Sequence, residues 1–577
     1  MAFIVTRWTY EPPPPSVAAT LAEALGVSPL LAGLLARRGI ADAGAAELFL
    51  RPKLADLDDP FRLGGVEAAA RMLDEAVAAK RDILVFGDYD VDGVTSTVLL
   101  VSLLRAFGAE PRYAVPRRMD EGYGLSRAAL ERVFAEGAPA LFIALDCGTG
   151  AVEEVKWLRA RGCEVIIVDH HTSKTELPRD CVLINPRTGG QPEAAWSLLC
   201  TVGLVFKLAH GFLKLRRAAN DARALDMKLA ESLDLVALGT IADLVPLAGE
   251  NRILARHGLR MLEKCERPGL RALFAVSGLQ PGQQLATSDV SYRLGPRINA
   301  SGRLADAALP VELLLGQEFE ACAQAAATLE SLNRERQGIE RQVQAEAEKV
   351  VEATQREAAA LVVFGENWHP GVVGIVAGKL SRQYGRPCIV LGREGALAKG
   401  SGRSIPGINL VEVLQSCASL LSVWGGHPMA VGVSLESGNV AQFQAAFAAA
   451  VLARRSEAAV MEGRVIELSA WVEPEELGEA MLEELELLHP YGEANAEPIF
   501  GVRGVRLDQP VAIFKEVNYR CRVPVGRGRS IAAVAWHKAK RLPPAGTELD
   551  LAVKFQWNCW NGRKSPQLEI LDWRTSE

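Results

Sequence analysis

The sequence predicts an α/β protein with two α/β domains, the first on a mostly parallel sheet, a long helix joining them, and a small C-terminal β barrel. Three observations carry that prediction. Between about residues 66 and 265, short apolar runs alternate with helical patterns at the spacing of crossover-connected parallel strands. From 318 to about 359 the chain holds a single glycine, no proline, and abundant Ala, Glu, Gln and Arg, which predicts one continuous helix. From 499 to 572 short alternating runs follow one another, the pattern of a small barrel.

Taken in order, residues 1–65 read as helical pieces at 16–25 and 30–38 with a proline-rich entry and a packing role. Residues 66–310 form the first domain: helix 67–79, strand 83–86, helices 95–107 and 127–136, strand 141–145, helix 152–161 and strand 165–168. The connecting helix belongs to 311–359, and 360–456 make a second α/β domain with strands at 360–364 and 387–391, a helix at 374–384, and glycine-rich turns at Gly400, Gly402 and Gly425-Gly426. Residues 457–577 are expected to start as an acidic helical linker and to end as the barrel, with strands near 511–514, 531–536, 549–555 and 567–571.

Composition bounds the class. A chain of 577 residues calls for roughly three or four domains, and 49% hydrophobic with 23% charged residues is ordinary for globular proteins. Ten scattered cysteines without a Cys-x-x-Cys pair argue against a zinc ribbon, a redox pair or a disulfide framework, and point to a reduced cytoplasmic setting. The N-terminus runs through Glu11 into prolines 12–15, unlike a signal peptide, and no apolar stretch approaches membrane-spanning length, so no membrane association is expected. The net charge of −6 hides an asymmetry: residues 501–577 carry 14 Lys or Arg against 7 acids, a balance of +7, whereas 457–500 carry 12 acids against Arg464 alone, a balance of −11. A basic surface that meets phosphates gives such counts, and so does an acidic amphipathic helix beside an ordinary basic β domain.

The chemistry gathers where apolar strands end. Ile83–Gly87 runs into Asp88-Tyr89-Asp90-Val91-Asp92-Gly93, Leu141–Leu145 into Asp146-Cys147-Gly148, and 165–168 into Asp169-His170-His171. The C-terminal mouth of a parallel sheet is where α/β proteins build sites. In extended geometry Asp90 and Asp92 point to one side and repel, and a cation is the usual remedy. A calcium loop counted from Asp88 would need Glu at its twelfth position, where Leu99 stands. Asp146 alone could be a helix cap, and a single histidine a satisfied core residue. Two adjacent imidazoles beside Asp169 fit better with one binding metal while the carboxylate orients it. Asp243, the one charge in Gly239–Pro246, needs compensation that metal supplies. Asp90, Asp92, Asp146, His170 and Asp243 suffice for two octahedral ions, Mn²⁺ or Mg²⁺, of the kind that promote phosphoryl transfer.

Anion-binding candidates follow. Arg297-Ile298-Asn299-Ala300-Ser301-Gly302-Arg303 and Ser401-Gly402-Arg403-Ser404 combine turn-forming glycines, hydroxyls and guanidinium groups, although each also reads as a turn with a surface arginine. His427 follows Gly425-Gly426 on an expected tight turn. In the C-terminal segment, aromatics including Trp536 and Trp557 interleave with Arg520, Arg522, Arg527 and Arg529, a composition that suits base stacking in a basic groove. About half of those aromatics would be core in any small barrel.

With these motifs in view, from about residue 20 to the end the chain resembles the DHH/DHHA1 phosphoesterase superfamily, and within it the bacterial exonucleases specific for single-stranded DNA. The resemblance rests on Gly87–Ser96, Asp146-Cys147-Gly148, Asp169-His170-His171 with Asn185-Pro186, Gly239–Asp243, Arg297–Arg303, Leu332–Gln337, Ser401–Ser404 and Gly425-Gly426-His427. It implies a DHH and a DHHA1 domain around a cleft, an oligonucleotide-binding (OB) barrel, and degradation of single-stranded DNA from the 5′ end to mononucleotides in repair and recombination. Asp88, Asp90, Asp92, Asp146, His170 and Asp243 are then expected as metal ligands, and Asp92, His170, His171 and His427 at the catalytic centre. Arg297, Asn299, Arg303, Ser401, Arg403 and His427 are expected to hold the substrate phosphate, and Arg520, Arg522, Trp536 and Trp557 to hold the strand on the barrel. By the same resemblance a single-strand-binding protein and a RecQ-type helicase would be partners of a monomeric enzyme. A relative acting on short RNA or dinucleotides, or an inactive replication scaffold, is the alternative; the basic C-terminal domain weighs against the first and the intact motifs against the second. The segment 490–498 departs from the family's Gly-x-Gly-Asn-Pro, which leaves the hinge geometry open.

Overall fold

A computed structural model describes every residue except 1–5, 118–120, 122–123, 174–175, 306, 455–464, 527, 561–562 and 577, so Arg464, Arg527 and the expected boundary at 456/457 lie outside the described residues. The first sheet has five strands, all parallel, in the order Arg112–Ala114, Ile83–Gly87, Leu141–Leu145, Glu164–Val168, Val182–Ile184. Its side chains alternate between two cores. Ile83, Val85, Leu141, Ile143, Ile166 and Val168 face one, while Leu84, Phe86, Phe142, Ala144, Val165 and Ile167 face the other. Burial on both faces explains the continuous apolar runs. The chain enters at Ile83–Gly87 and the strand order reverses between it and Leu141–Leu145, so a crevice opens at the C-terminal ends of those two strands. The two outer strands, three residues each and only partly buried, leave no periodic signal in the sequence.

The helix after the first strand begins earlier than expected, at Val91, and runs to Ala106. Asp90 is its N-cap and Asp92 lies in its first turn, so the two carboxylates are not displayed from an extended segment. The connecting helix spans Phe319–Thr354, 36 residues, or about 54 Å at 1.5 Å per residue. Its first part places Cys322, Ala326 and Leu329 in the first domain's core, and its last part places Val343, Ala347 and Val351 in the second's. Between them the buried polar residues Asn333, Arg336 and Glu340 bond to one another, and Lys379 of the second domain pairs with Glu340.

The second sheet runs Val423–His427, Ala430–Glu436, Leu397–Arg403, Cys388–Glu394, Leu361–Gly365, with only the last two strands parallel. Gly400, Gly402, Gly425 and Gly426 therefore sit inside strands and not in turns. Gly400 is there for close approach: a Cβ would stand 1.9 Å from the Val390 carbonyl oxygen.

The third sheet has seven strands, ordered Ala470–Val472, Phe500–Arg506, Glu548–Trp560, Arg563–Thr575, Ser530–Ala535, Asn518–Pro524, Ala512–Phe514. It curls, since Phe500–Arg506 touches Asn518–Pro524 four places away in that order. Among the described residues of the expected acidic helical linker, Val465–Leu468 and Ala470–Val472 are strands and Glu479–Leu485 is an α-helix, so from 465 on the expectation is corrected. The N-terminal strand Arg7–Tyr10 pairs in parallel with Val465–Leu468, and Leu21, Leu31, Leu34, Leu35, Ala46 and Leu50 share one core with Val502, Tyr519, Leu551 and Ile570 of the barrel. The linker before the barrel makes a tight turn with Gly492 and Asn495 bonded both ways, and it docks on the first domain where Leu247 N–H donates to the Glu493 carbonyl. No helix among the described residues is long and apolar enough to cross a membrane.

Candidate active site

The crevice at the strand-order reversal holds two groups of potential ligands, Asp146/His170/His171 and Asp92/His170/Asp243, each with one atom per residue within 4.8 Å of the others. His170 belongs to both. Its Nε2 lies 3.5 Å from Asp146 Oδ1, 3.5 Å from Asp243 Oδ2 and 3.9 Å from Asp92 Oδ2. Both ring nitrogens of His170 are buried without a hydrogen-bond partner. Burial and the neighbouring His171 push its pKa down to about 3, so the ring is neutral and its lone pair available.

The carboxylates are crowded. Burial, then the charge of Asp90, raises Asp92 to about 6, and burial, then Asp92 and Asp90, raises Asp243 to about 9. Asp146 is pushed well up by burial and by Asp92, Asp90 and Asp88. Buried carboxylates around an unpartnered imidazole fit divalent cations, which would remove the repulsion and displace the protons. Asp146 also adopts φ +65°, in the left-handed region, immediately after its strand.

The surroundings of these ligands come from distant parts of the chain. Both oxygens of Asp92 accept backbone N–H groups at the start of helix Thr201–Ala218, from Thr201 at 2.7 Å and Val202 at 2.8 Å, and the Thr201 hydroxyl donates to Asp146 at 2.8 Å. Asp169 accepts from Thr149 N–H, from the Thr149 hydroxyl at 2.7 Å and from His171 N–H, and its Oδ1 lies 2.8 Å from His171 Nδ1. Asn185 donates to Thr149 and to the His171 carbonyl. The expectation that Asp169 orients His170 is thus corrected. Alternation along an extended chain places Asp169 and His171 on one side and His170 on the other. Burial alone would raise Asp169 and lower His171; their mutual contact holds Asp169 down at about 2 and lifts His171 to about 9.

Asp88 and Asp90 contribute no atom to either group. Asp88 Oδ1 accepts from Tyr89 N–H and Asp90 Oδ1 caps its helix at Gly93 N–H. Arg187, missed in the sequence, exerts its charge on both His170 and Asp243, and its N–H is held by Asn185 Oδ1. The only local signal for it is the Asn185-Pro186 turn. Thr149 and Thr201 carry no signal beyond lying near a strand end and a helix start.

The expected turn 296–303 is a helix, Gly295–Leu304, with Pro296 in its first turn. Arg297 on it is occupied elsewhere: its Nε pairs with Glu330 of the connecting helix at 2.7 Å, and the guanidinium also donates to the carbonyls of Arg293 and Val276. Asn299 is half-buried, with an unpartnered Oδ1. Arg303 reaches across to the second domain and donates to the Gly371 carbonyl at 2.8 Å, at the start of helix Pro370–Tyr384. Ser401 and Arg403 share one face of their strand against that helix: a Cβ on Gly374 would lie 3.3 Å from Ser401 Oγ and 3.4 Å from Arg403 Nη2. Strand register sets Arg403, Ala430 and His427 in one row across three strands. His427 ends its strand, and its charge reaches His170.

On the barrel, Arg520 and Arg522 are exposed on one face of Asn518–Pro524, with Arg522 bonded to Ser530. Trp536 is 45% exposed and edge-on to Phe514. Trp557 is partly buried, with its ring packed on the barrel core and Lys564 Nζ 4.5 Å from its centroid.

A carboxylate and imidazole cluster at the mouth of a parallel sheet, beside a helix N-terminus, with Arg303 reaching from the first domain to a second that carries Arg403, fits a phosphoesterase of the DHH class. The family models agree in both halves, matching the DHH family N-terminal domain over residues 82–240 and the DHHA1 domain over 357–453, and a third, the RecJ OB domain, matches 468–572. The chain belongs to the RecJ family. It is 35% identical to the single-stranded-DNA-specific exonuclease RecJ of Bacillus subtilis over 99% of its own length and 71% of that protein's. It is 37% identical to RecJ of Dickeya dadantii and 35% to that of Escherichia coli, each over 94% of this chain and 95% of the relative. The crystal structure of Thermus thermophilus RecJ in complex with Mn²⁺ superimposes with a TM-score of 0.83 at 30% identity, covering 99% of this chain and 80% of that one.

Proposed function

We propose that this protein hydrolyses single-stranded DNA as a metal-dependent exonuclease working from the 5′ end to release mononucleotides. The observation that carries the reading is the sharing of His170, whose ring nitrogens have no hydrogen-bond partner, between two groups of carboxylates at the mouth of the first sheet. Asp92, Asp146, His170 and Asp243 would hold two divalent cations, Mn²⁺ or Mg²⁺, with Asp90 at the margin. Bound there, such cations supply an activated water and stabilise charge on the leaving oxygen. Helix Thr201–Ala218 orients Asp92 and Asp146, and Asp169 keeps a proton on His171, whose positive ring faces the phosphate. Arg303, Ser401, Arg403 and the N-terminus of helix Pro370–Tyr384 would receive a terminal phosphate, with Asn299 beside them and His427 facing the scissile group. A terminal phosphate held at a fixed distance from the metal groups sets cleavage one nucleotide in.

Arg520, Arg522 and Trp536 would retain the downstream strand. The enzyme is read as a monomer, and ten free cysteines suit a reducing cytoplasm. A single-strand-binding protein and a helicase are the partners such a substrate calls for, and co-purification with the full-length chain tests both. The central test is Asp146→Ala. It abolishes Mn²⁺-dependent release of mononucleotides from 5′-phosphorylated oligonucleotides while binding of the strand stays within about threefold, and equal activity in the variant would overturn the reading.

A further inference from the structure

The segment that leads into the barrel departs from Gly-x-Gly-Asn-Pro and reads Gly492-Glu493-Ala494-Asn495-Ala496. Ala494 stands where that pattern has its second glycine, and it adopts φ +59°, in the left-handed region that glycine enters freely and alanine does not. The turn keeps its shape because it is tied from several sides. Gly492 and Asn495 exchange both backbone hydrogen bonds at 3.0 Å, the buried Asn495 amide donates to the carbonyls of Leu488 and Pro490, and its Oδ1 accepts from Arg38 Nε. Arg252 and Arg256 of helix Gly249–Lys264 donate to the carbonyls of Leu487 and His489 just before it. A flexible connection to the barrel would need none of these bonds.

What the turn grips is the segment that carries Asp243. The Glu493 carbonyl accepts the Leu247 N–H at 2.8 Å, and Gly492 lies so close that a Cβ there would stand 2.6 Å from Leu247 Cδ1. Asp243 ends helix Leu233–Ala242 a few residues earlier, and the chain between has little slack. Leu244 is held at φ +59°, Val245 is buried, and Pro246 has its φ fixed by its ring while its carbonyl accepts from the buried Asn251. A shift of Leu247 is thus passed on to Asp243 and not absorbed on the way. Asp243 Oδ2, 3.5 Å from His170 Nε2, is buried and has no hydrogen-bond partner among the described residues, so its place is set by the backbone that bears it.

We propose that the turn Gly492–Asn495 is a positioning element for Asp243, so that the attachment of the barrel to the first domain sets how tightly the metal groups bind their cations. The inference rests on the reading of Asp243 as a metal ligand. Groups behind a ligand fix its orientation and through it the affinity for the ion. For Asp92 and Asp146 that support is the start of helix Thr201–Ala218. For Asp243 it is the linker, through Glu493 and Leu247.

The probe is Mn²⁺ alone, titrated into the full-length protein well below its melting temperature, with free Mn²⁺ read from its electron paramagnetic resonance signal. Asp243→Asn marks the part of the titration that belongs to this ligand. Ala494→Val, whose β-branched side chain resists the left-handed region, and Gly492→Ala, which pushes on Leu247, each weaken that part about fivefold, less than the roughly 10–100-fold expected when a group bonded directly to a ligand is lost. Ala494→Gly takes the same φ without strain and binds Mn²⁺ at least as tightly as the parent. In EDTA, hydrogen exchange followed by mass spectrometry gives a readout without metal: in Ala494→Val the segment 243–247 exchanges several-fold faster while the barrel strand Glu548–Trp560 keeps the parent rate. Unchanged Mn²⁺ affinity in both Ala494→Val and Gly492→Ala, or unchanged exchange across 243–247, overturns the proposal and leaves the turn as a dock for the barrel. Mn²⁺ binding that Asp243→Asn does not alter would instead sink the reading of Asp243 as a ligand, and the exchange rates then still decide whether the turn holds its segment.

Discussion

At the residue scale, Asp146 shows what the site costs. A non-glycine residue held in the left-handed region is disfavoured by about 1–3 kcal/mol, and Asp146 carries that strain beside the buried Asp92 and the partly buried Asp243. Their raised pKa values turn into a pH dependence with a definite sign. A carboxyl that binds its proton more tightly folded than unfolded adds stability at low pH, and that stability is lost as pH rises through the folded value. In EDTA the melting temperature is therefore expected to fall as pH rises from about 4, the unfolded aspartate value, with the Asp92 share lost by about pH 6 and the Asp243 share lost by about pH 9. Added Mn²⁺ restores it, and the increment grows with pH; a flat or opposite trend in differential scanning fluorimetry counts against metal binding here. The ligand types are legible in the sequence because Asp92, Asp146, His170 and Asp243 each break an apolar run. Their support is not. Thr149, Asn185 and Thr201 act across 20, 36 and 55 positions of sequence, and nothing local marks a threonine that will meet a carboxylate so far away.

At the scale of elements, the helix Gly295–Leu304 joins three parts of the molecule: Gly302 packs against Tyr89, Arg297 reaches the connecting helix, and Arg303 reaches the second domain. The pair Arg297–Glu330 has side chains only 14% and 15% exposed. Removing one member of a buried pair costs about 3–5 kcal/mol, and this one, slightly open, is expected at or below the lower figure. Arg297→Met should lower the melting temperature by several degrees while KM for single strands stays within about twofold. The reverse outcome, a raised KM at unchanged stability, would return Arg297 to the substrate phosphate. This helix reads as a turn in the sequence because Pro296 and Gly302 look like turn residues. In fact proline suits a first helical turn, and Gly302 is small because a Cβ would come 2.8 Å from the Tyr89 ring. Gly400 and Gly402 mislead in the same way. Glycine required by close packing and glycine required by a turn look identical in a sequence, whereas the 36-residue connecting helix is plain because no tertiary constraint interrupts its pattern.

At the scale of the whole molecule, the barrel cannot be treated as a detachable accessory. Its core includes Leu21, Leu31, Leu34 and Leu50 from the N-terminal helices, so a chain ending near 458 leaves those leucines open to water and is expected to aggregate. Light scattering of the truncated protein checks this. Charge reversal is the cleaner probe of the barrel. Arg520→Glu with Arg522→Glu should weaken binding of long single strands and reduce the slope of log K against log salt by about 1.4, at about 0.7 for each phosphate that is no longer neutralised. Cleavage of very short oligonucleotides should be little changed, and an unchanged salt slope would remove this face from the strand's path.

The pairing of Arg7–Tyr10 with Val465–Leu468 bears on how the protein is made. The strand Arg7–Tyr10 has as its partner a segment translated more than four hundred residues later, and at roughly 5–20 residues per second it waits tens of seconds for it. Through that interval the catalytic domains can fold on their own cores while the N-terminal helices keep an apolar face uncovered. The pairing of Arg7–Tyr10 with Val465–Leu468 is thus a late step of biogenesis, and nascent chains arrested before about residue 465 should be the ones that chaperones retain.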